Sequence, residues 1–291
     1  MTKTTKGYIF AALAAASYGT NPIFALPLYH EGMNVSSVLL FRYVMAVAIM
    51  LAITLVKSPQ AMRINPRDLG VLSVMGVLMV TSSITLFASY KFLSAGIAST
   101  LLFFYPVMVA LIMVMLYKER LGWRRTMCLI IATLGVFTLS KGDDGTGISP
   151  WGFLLVMLSS LSYAIYLVYI NRGPLRHLPS STITMYVLIF GLLVLVVQSM
   201  CVGELTIPHS PMAWCNAIGL GLFPTLISLY FTSQAIELIG STQTAIFGAL
   251  EPLTAVVLGI IILGETLTLR PALGMLMIFV SVTALVMQKK A

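Results

Sequence analysis

Charge is what this sequence lacks. Of 291 residues only 9% are charged and 59% are hydrophobic, with a mean hydropathy of +0.99. Soluble domains carry roughly 25% charged and about 45–50% apolar residues, and so few charges could not cover so much apolar surface in water. The chain reads as an integral membrane protein. Acids are scarcest: nine in all, with the three aspartates (Asp68, Asp143 and Asp144) outside the apolar runs. The histidines His30, His177 and His209 are isolated near segment ends, so an intramembrane enzyme, which needs converging acids, nucleophiles or ligands, is only a distant alternative. Cys128, Cys201 and Cys215 have neither metal-site nor disulfide spacing. No metal or cofactor is expected, and no GxxxxGK[ST] loop is present to drive the protein directly with ATP.

What is present is apolar and periodic. Crossing about 30 Å of hydrocarbon takes about 20 residues of helix, and ten runs qualify: 8–28, 36–56, 69–90, 97–116, 124–140, 151–170, 182–202, 212–235, 241–263 and 271–288. Polar breaks such as "KSPQAMRINPRD", "KERLGWRR" and "KGDDGTGISP" separate them, whereas "KFLSAG" and "ELIGST" leave room only for very short connections. Lys3 and Lys6 ahead of "YIFAALAAASYG" have the look of a secretory signal, but the apolar run continues past the alanines and reads as a span.

The two halves align on each other. "YPVMVALIMVMLYKERLGWR" from Tyr105 lies over "EPLTAVVLGIIILGETLTLR" from Glu251 at an offset of 146, with 13 residues from Pro106 to Glu119 and from Pro252 to Glu265. Ser17-Tyr18 meets Ser162-Tyr163 at an offset one residue shorter, 145. The expected domains are therefore two five-helix repeats, residues 1–141 and 142–291. Five is odd, so the second would run through the bilayer upside down. Charge agrees: with both termini inside, thirteen of the 17 lysines and arginines fall on the inner side, as cytoplasmic loops require. The net charge of +8 then faces an anionic leaflet rather than nucleic acid. Matched loops differ in the expected sense, "YKERLGWRR" being basic and "LGETLTLR" nearly stripped of charge.

Ten spans in two inverted halves, the Glu251-Pro252 to Gly264-Glu265-x-Leu267 stretch, and "LLFRYVMAV" with Arg42 resemble the EamA-type transporters of the drug/metabolite transporter superfamily. The first half is degenerate, with Tyr105 and Lys118 in the glutamate and glycine positions. The resemblance covers roughly residues 8–288. It implies an all-α polytopic bundle of ten transmembrane helices around a central cavity, lined by spans one, three, four, six, eight and nine. The implied function is secondary transport of small metabolites, amino acids or related compounds in the first place, by export across the cytoplasmic (inner) membrane. Efflux of drugs or aromatic cations, with Glu251 as countercharge, is the alternative, and protons are the expected coupling ion.

The polar residues inside the runs are the candidates for the work. Inverted repeats place substrates near the midplane, on broken helices. A mid-helix proline frees the carbonyl four residues back, so Pro22, Pro106, Pro224 and Pro252 free Tyr18, Leu102, Leu220 and Gly248. Glu251 starts ten residues into its run, about 15 Å deep at 1.5 Å per residue, and a charge there is expected to face a cavity or a partner. Its structural alternative is a protonated acid bonded to a neighbouring helix. Arg42, six residues into its span, is expected either to snorkel outward on its long stem or to meet an anionic group. Tyr18, Asn21, Ser83, Tyr105, Tyr163, Tyr166, Thr225 and Gln243 complete the expected pathway, as hydrogen-bonding groups on aromatic walls.

Overall fold

Runs this apolar have no hydrogen-bonding solvent in a bilayer, so each must satisfy its own backbone, and helix is the open-chain way to do so. In a computed structural model of the chain, the described residues (2–57, 64–89, 91–93, 98, 101–120, 122–140, 149–202, 205–263 and 269–286) contain helices and no strand. In chain order the α-helices are α1 Lys3–Gly19, α2 Asn21–His30, α3 Val35–Lys57, α4 Pro66–Ser89, α5 Tyr105–Tyr117, α6 Trp123–Ser140, α7 Pro150–Arg172, α8 Ser180–Val202, α9 Pro211–Gly221, α10 Ser228–Ile239, α11 Ser241–Phe247, α12 Leu250–Leu263 and α13 Leu269–Val286. The linker 141–148 and the turn 264–268, with Glu265 of the aligned motif, lie outside the described residues.

Among the described residues, six stretches are long and apolar enough to cross a bilayer: Lys3–His30, Val35–Val56, Pro66–Ser89, Pro150–Arg172, Ser180–Cys201 and Pro211–Ile239. The other four expected spans fall on α5, α6, α11 with α12, and α13, which are shorter, interrupted or less apolar. Their surfaces suit lipid. Met115, Leu116, Met200 and Ile261 are each more than 70% exposed, while Trp123 and Trp151 stand exposed at helix starts, where amphipathic rings favour an interface.

The helices pair in a recurrent pattern. α4 packs on α7 and α10 on α1; α5 packs on α7 and α12 on α1; α6 lies along α13, α3 along α8, and α5 against α11. Small residues permit the close crossings in a membrane, as at Gly19, where a Cβ would run into the Glu251 carbonyl and the Thr254 side chain of α12. The connection expected within "ELIGST" is a single residue, Gly240, at φ +85° between α10 and α11.

Candidate functional site at the broken helices

All four prolines sit where helices are interrupted, and the carbonyls they free do not go wanting. The Leu102 carbonyl, freed by Pro106, accepts from the Ser160 hydroxyl of α7 at 3.0 Å. The Leu220 carbonyl, freed by Pro224, accepts from the Thr225 hydroxyl at 2.8 Å. At Pro252 the helix tightens, and the Glu251 N–H reaches the Gly248 carbonyl at 2.9 Å. Around Pro22 the chain leaves the helix at Thr20, whose N–H turns back on the Ser17 and Tyr18 carbonyls. Unsatisfied groups at this depth would each cost several kcal/mol; these breaks carry their own partners.

The break at Pro252 places Glu251 in the first turn of α12, half-buried. Tyr105, the first residue of α5 and 2% exposed, donates its hydroxyl to Glu251 Oε1 at 3.4 Å. These two positions are 146 apart, the offset that aligns the halves of the sequence. The Tyr163 ring meets Tyr105 edge-on with centroids 4.8 Å apart, and Tyr166 stacks on Tyr163 at 6.1 Å. Gly248 makes room for the contact, since a Cβ there would strike the Tyr105 hydroxyl. The alanine face of α1 (Ala11, Ala14 and Ala15) closes the other wall, with Leu167, Thr232, Thr244 and Ala245 completing a cavity around Glu251. A water centre has about 10 Å³ to move in there, room for about one water molecule. Little space is left beside the half-buried acid.

Arg42 corrects one expectation. It does not snorkel: it is 1% exposed. At Pro224 the helix widens into a π-helical turn, Leu222–Ile227, the kind of irregularity that gathers at functional sites. Arg42 Nη2 donates to the Pro224 carbonyl at 3.2 Å and Nε to the Thr225 hydroxyl, which in turn donates to the Leu220 carbonyl. The Tyr18 ring lies 5.8 Å from the guanidinium, and Ser17 caps the Phe223 carbonyl at 2.6 Å. The widened turn thus takes the place of water around a charge whose burial costs about 2.5–3.5 kcal/mol on insertion scales.

The remaining candidates scatter. Asn21 is buried at the start of α2. Ser83 of α4 is not on the cavity wall, which is drawn from α1, α5, α7, α10, α11 and α12; it bonds the Tyr43 hydroxyl at 3.3 Å and the Met79 carbonyl. Gln243 belongs to a half-exposed network at one end of the bundle. With its amide oriented to satisfy both partners, it donates to the Ile239 carbonyl at 3.1 Å and accepts from Arg125 Nη2 at 3.2 Å. Glu119 there pairs with Arg125 at 3.4 Å and Arg172 at 3.5 Å. Residue-by-residue reading missed Ser160, Thr232 and Thr244, along with the Ser82–Ser159 pair that bolts α4 to α7 at 3.0 Å. Serine pairs within the apolar runs ("TSSITLF", "LSSLSY") were the available signal.

The EamA-like transporter family matches twice, over residues 5–141 and 150–287. The chain belongs to that family. Its curated relatives include the uncharacterized transporters YdfC and YvbV of Bacillus subtilis. YdfC is 26% identical over 250 residues, 84% of this chain and 79% of that one, and YvbV is 25% identical over 304 residues, 99% and 93%. The uncharacterized inner membrane transporter YedA of Escherichia coli is 25% identical over 231 residues, 78% and 73%. A crystal structure of a protein 14% identical superposes with a TM-score of 0.84 over 96% of each chain, which establishes a shared fold. This EamA-family chain is a multi-pass membrane transporter, and both the family and these relatives are named for transport rather than catalysis.

Proposed function

We propose that the protein is a secondary transporter that exports small metabolites, amino acids or related compounds in the first place, across the inner membrane by alternating access. In this reading ten spans form two inverted five-helix repeats, residues 1–141 and 142–291, with both termini and "KERLGWRR" in the cytoplasm. The twofold family match, the exchange-symmetric helix pairing and the name of the relative YedA support it. The observation that carries it is Glu251, an acid at a helix break facing a small, tyrosine-walled cavity. A carboxylic acid can take up and release a proton, so the site suits an exchange of proton against solute. The tyrosine walls around a carboxylate also favour a second reading, efflux of aromatic cations, through attraction of a cation to ring faces.

The test is transport in proteoliposomes, with labelled amino acids followed with and without a pH gradient. Glu251→Gln keeps the shape and most hydrogen bonding but cannot exchange a proton. We expect it to fold, to lose gradient-driven transport and to retain exchange between equal pools. Wild-type transport by this variant at every external pH would reduce Glu251 to packing. Topology is checked by cysteine labelling: a cysteine placed at Thr268 should react only from outside, and reaction only from the cytoplasm would break the inverted arrangement.

A further inference from the structure

One end of the bundle holds a charged network to which the transport reading gives no task. Glu119, just past the end of α5, pairs with Arg125 of α6 at 3.4 Å and with Arg172 at the end of α7 at 3.5 Å. The Arg172 guanidinium also lies 5.8 Å from the Tyr117 ring, and Gln243 of α11 accepts from Arg125. Inside this partly exposed layer is a drier one. Tyr8 of α1 stacks on Phe247 of α11 with centroids 5.4 Å apart, and Asn171 donates to the Ser241 hydroxyl at 3.0 Å. Phe247 and Met113 are almost fully buried. Gly7 lets α1 approach so closely that a Cβ there would run into the Ile239 side chain. The Glu119–Arg172, Arg125–Gln243 and Tyr8–Phe247 contacts each join a residue of the first family match to one of the second.

Helix register places these layers. Ala11, Leu167 and Thr244 line the cavity around Glu251. Tyr8, Asn171 and Ser241 stand three or four residues from them on the same helices, one turn or about 5 Å nearer this end. Solute or water entering from here would pass both layers before reaching the acid. We infer that they form the cytoplasmic gate of the cavity, with the Tyr8–Phe247 stack as its seal and Glu119, clasped by Arg125 and Arg172, as its latch. This rests on the transport reading and its topology, which put "KERLGWRR" in the cytoplasm. The chemistry suits a contact that must release in every cycle. Water competes for exposed ion pairs, so little energy holds them, whereas opening a buried pair would strand uncompensated charges. Contacts between two halves resist their separation and not the unfolding of either, so the latch biases the balance between conformations.

The experiment uses the full chain in proteoliposomes, with Cys128, Cys201 and Cys215 replaced by alanine and Thr244→Cys on the cavity wall. A charged, membrane-impermeant thiosulfonate is added to one face at a time. From the cytoplasmic face the reaction should be slow in this background and at least fivefold faster with Glu119→Gln or Arg172→Gln; either variant suffices if the other does not fold. Tyr8→Ala should speed it as well. Reaction from the other face should not rise. High salt should speed cytoplasmic labelling of the background but not of Glu119→Gln, whose screened attraction is already gone. Glu119→Arg with Arg172→Glu again sets one acid between two bases and should return labelling to near the slow rate. Thermal unfolding in detergent is measured alongside. General loosening would speed labelling from both faces. That result, or unchanged cytoplasmic labelling in both latch variants, overturns the gate. Faster labelling from the other face alone overturns the cytoplasmic assignment together with the topology. Uptake of labelled amino acids by wild-type vesicles is scored separately: its absence removes the transport reading, and its presence beside unchanged labelling removes the gate alone.

Discussion

Arg42 and Arg125 carry the same charge under opposite conditions. Arg42 is sealed among helices and bonded to a widened turn 182 residues further along the chain. Arg125 is about one-third exposed at a helix end and shares Glu119 with Arg172. Water competes for the second arrangement and is excluded from the first. Exposed ion pairs contribute about 0–1 kcal/mol, whereas removing one partner from a buried charge leaves the other uncompensated at several times that. The expectation is that Arg42, which has no ion-pair partner among the described residues, matters more to folding than the network of three ionised groups.

Thr225→Val is the strongest way to break that contrast. It deprives Arg42 Nε of its acceptor and the Leu220 carbonyl of its donor in an isosteric side chain, and each buried orphan costs about 1–3 kcal/mol. Thermal unfolding in detergent should fall sharply, and Thr225→Ser should restore most of it. Gly248→Ala extends the test to the half-buried acid, Glu251. Its methyl group would meet the Tyr105 hydroxyl, and overpacking of this kind costs about 1–3 kcal/mol. Removing that hydroxyl with Tyr105→Phe should recover stability in the double variant without recovering transport; full additivity would mean the two groups do not meet.

At the helix ends the effects shrink. Glu119→Gln should change stability by less than about 1 kcal/mol, and the difference should fade in high salt. A larger, salt-independent loss would show that the network is less solvated than its exposure implies. Smallest of all is the surface pair of His177 Nε2 and Asp68 Oδ2 at 3.1 Å. The hydrogen bond to Asp68, with a second to the Pro174 carbonyl, raises the imidazole above its ordinary 6.5. A raised value in the folded state means that the stabilisation is fully present below pH 6.5 and is lost as pH climbs through the raised value. Melting temperatures of wild type and Asp68→Asn should therefore differ most at mildly acid pH and converge above it.

Much of the chain was legible in its sequence for simple reasons. Apolar runs bounded by charge coincide closely with helices, as with 36–56 and Val35–Lys57, or 151–170 and Pro150–Arg172. Proline announced the interruptions because a missing N–H is a local fact. What supplies the orphaned carbonyl is a long-range fact except where the next residue does it, so Thr225 was within reach of reasoning and Ser160 was not. Arg42 was misplaced for the same reason: its partners are main-chain and hydroxyl groups on a remote helix, and a stem long enough to reach the surface gives no sign of them. Gln243 was expected on the pathway although its run, 241–263, begins only two residues before it; the turn at Gly240 sets it beside Arg125.

Tyr105 and Glu251 occupy equivalent places in the two halves of the sequence and touch each other. At such a position the two halves face each other instead of providing two separate copies. Two glutamates in mutual contact would repel and share a single proton, whereas a tyrosine adds no second charge and can donate its hydroxyl hydrogen to the acid. The consequence is stoichiometric: where the two halves meet, this centre holds one carboxylate and not two.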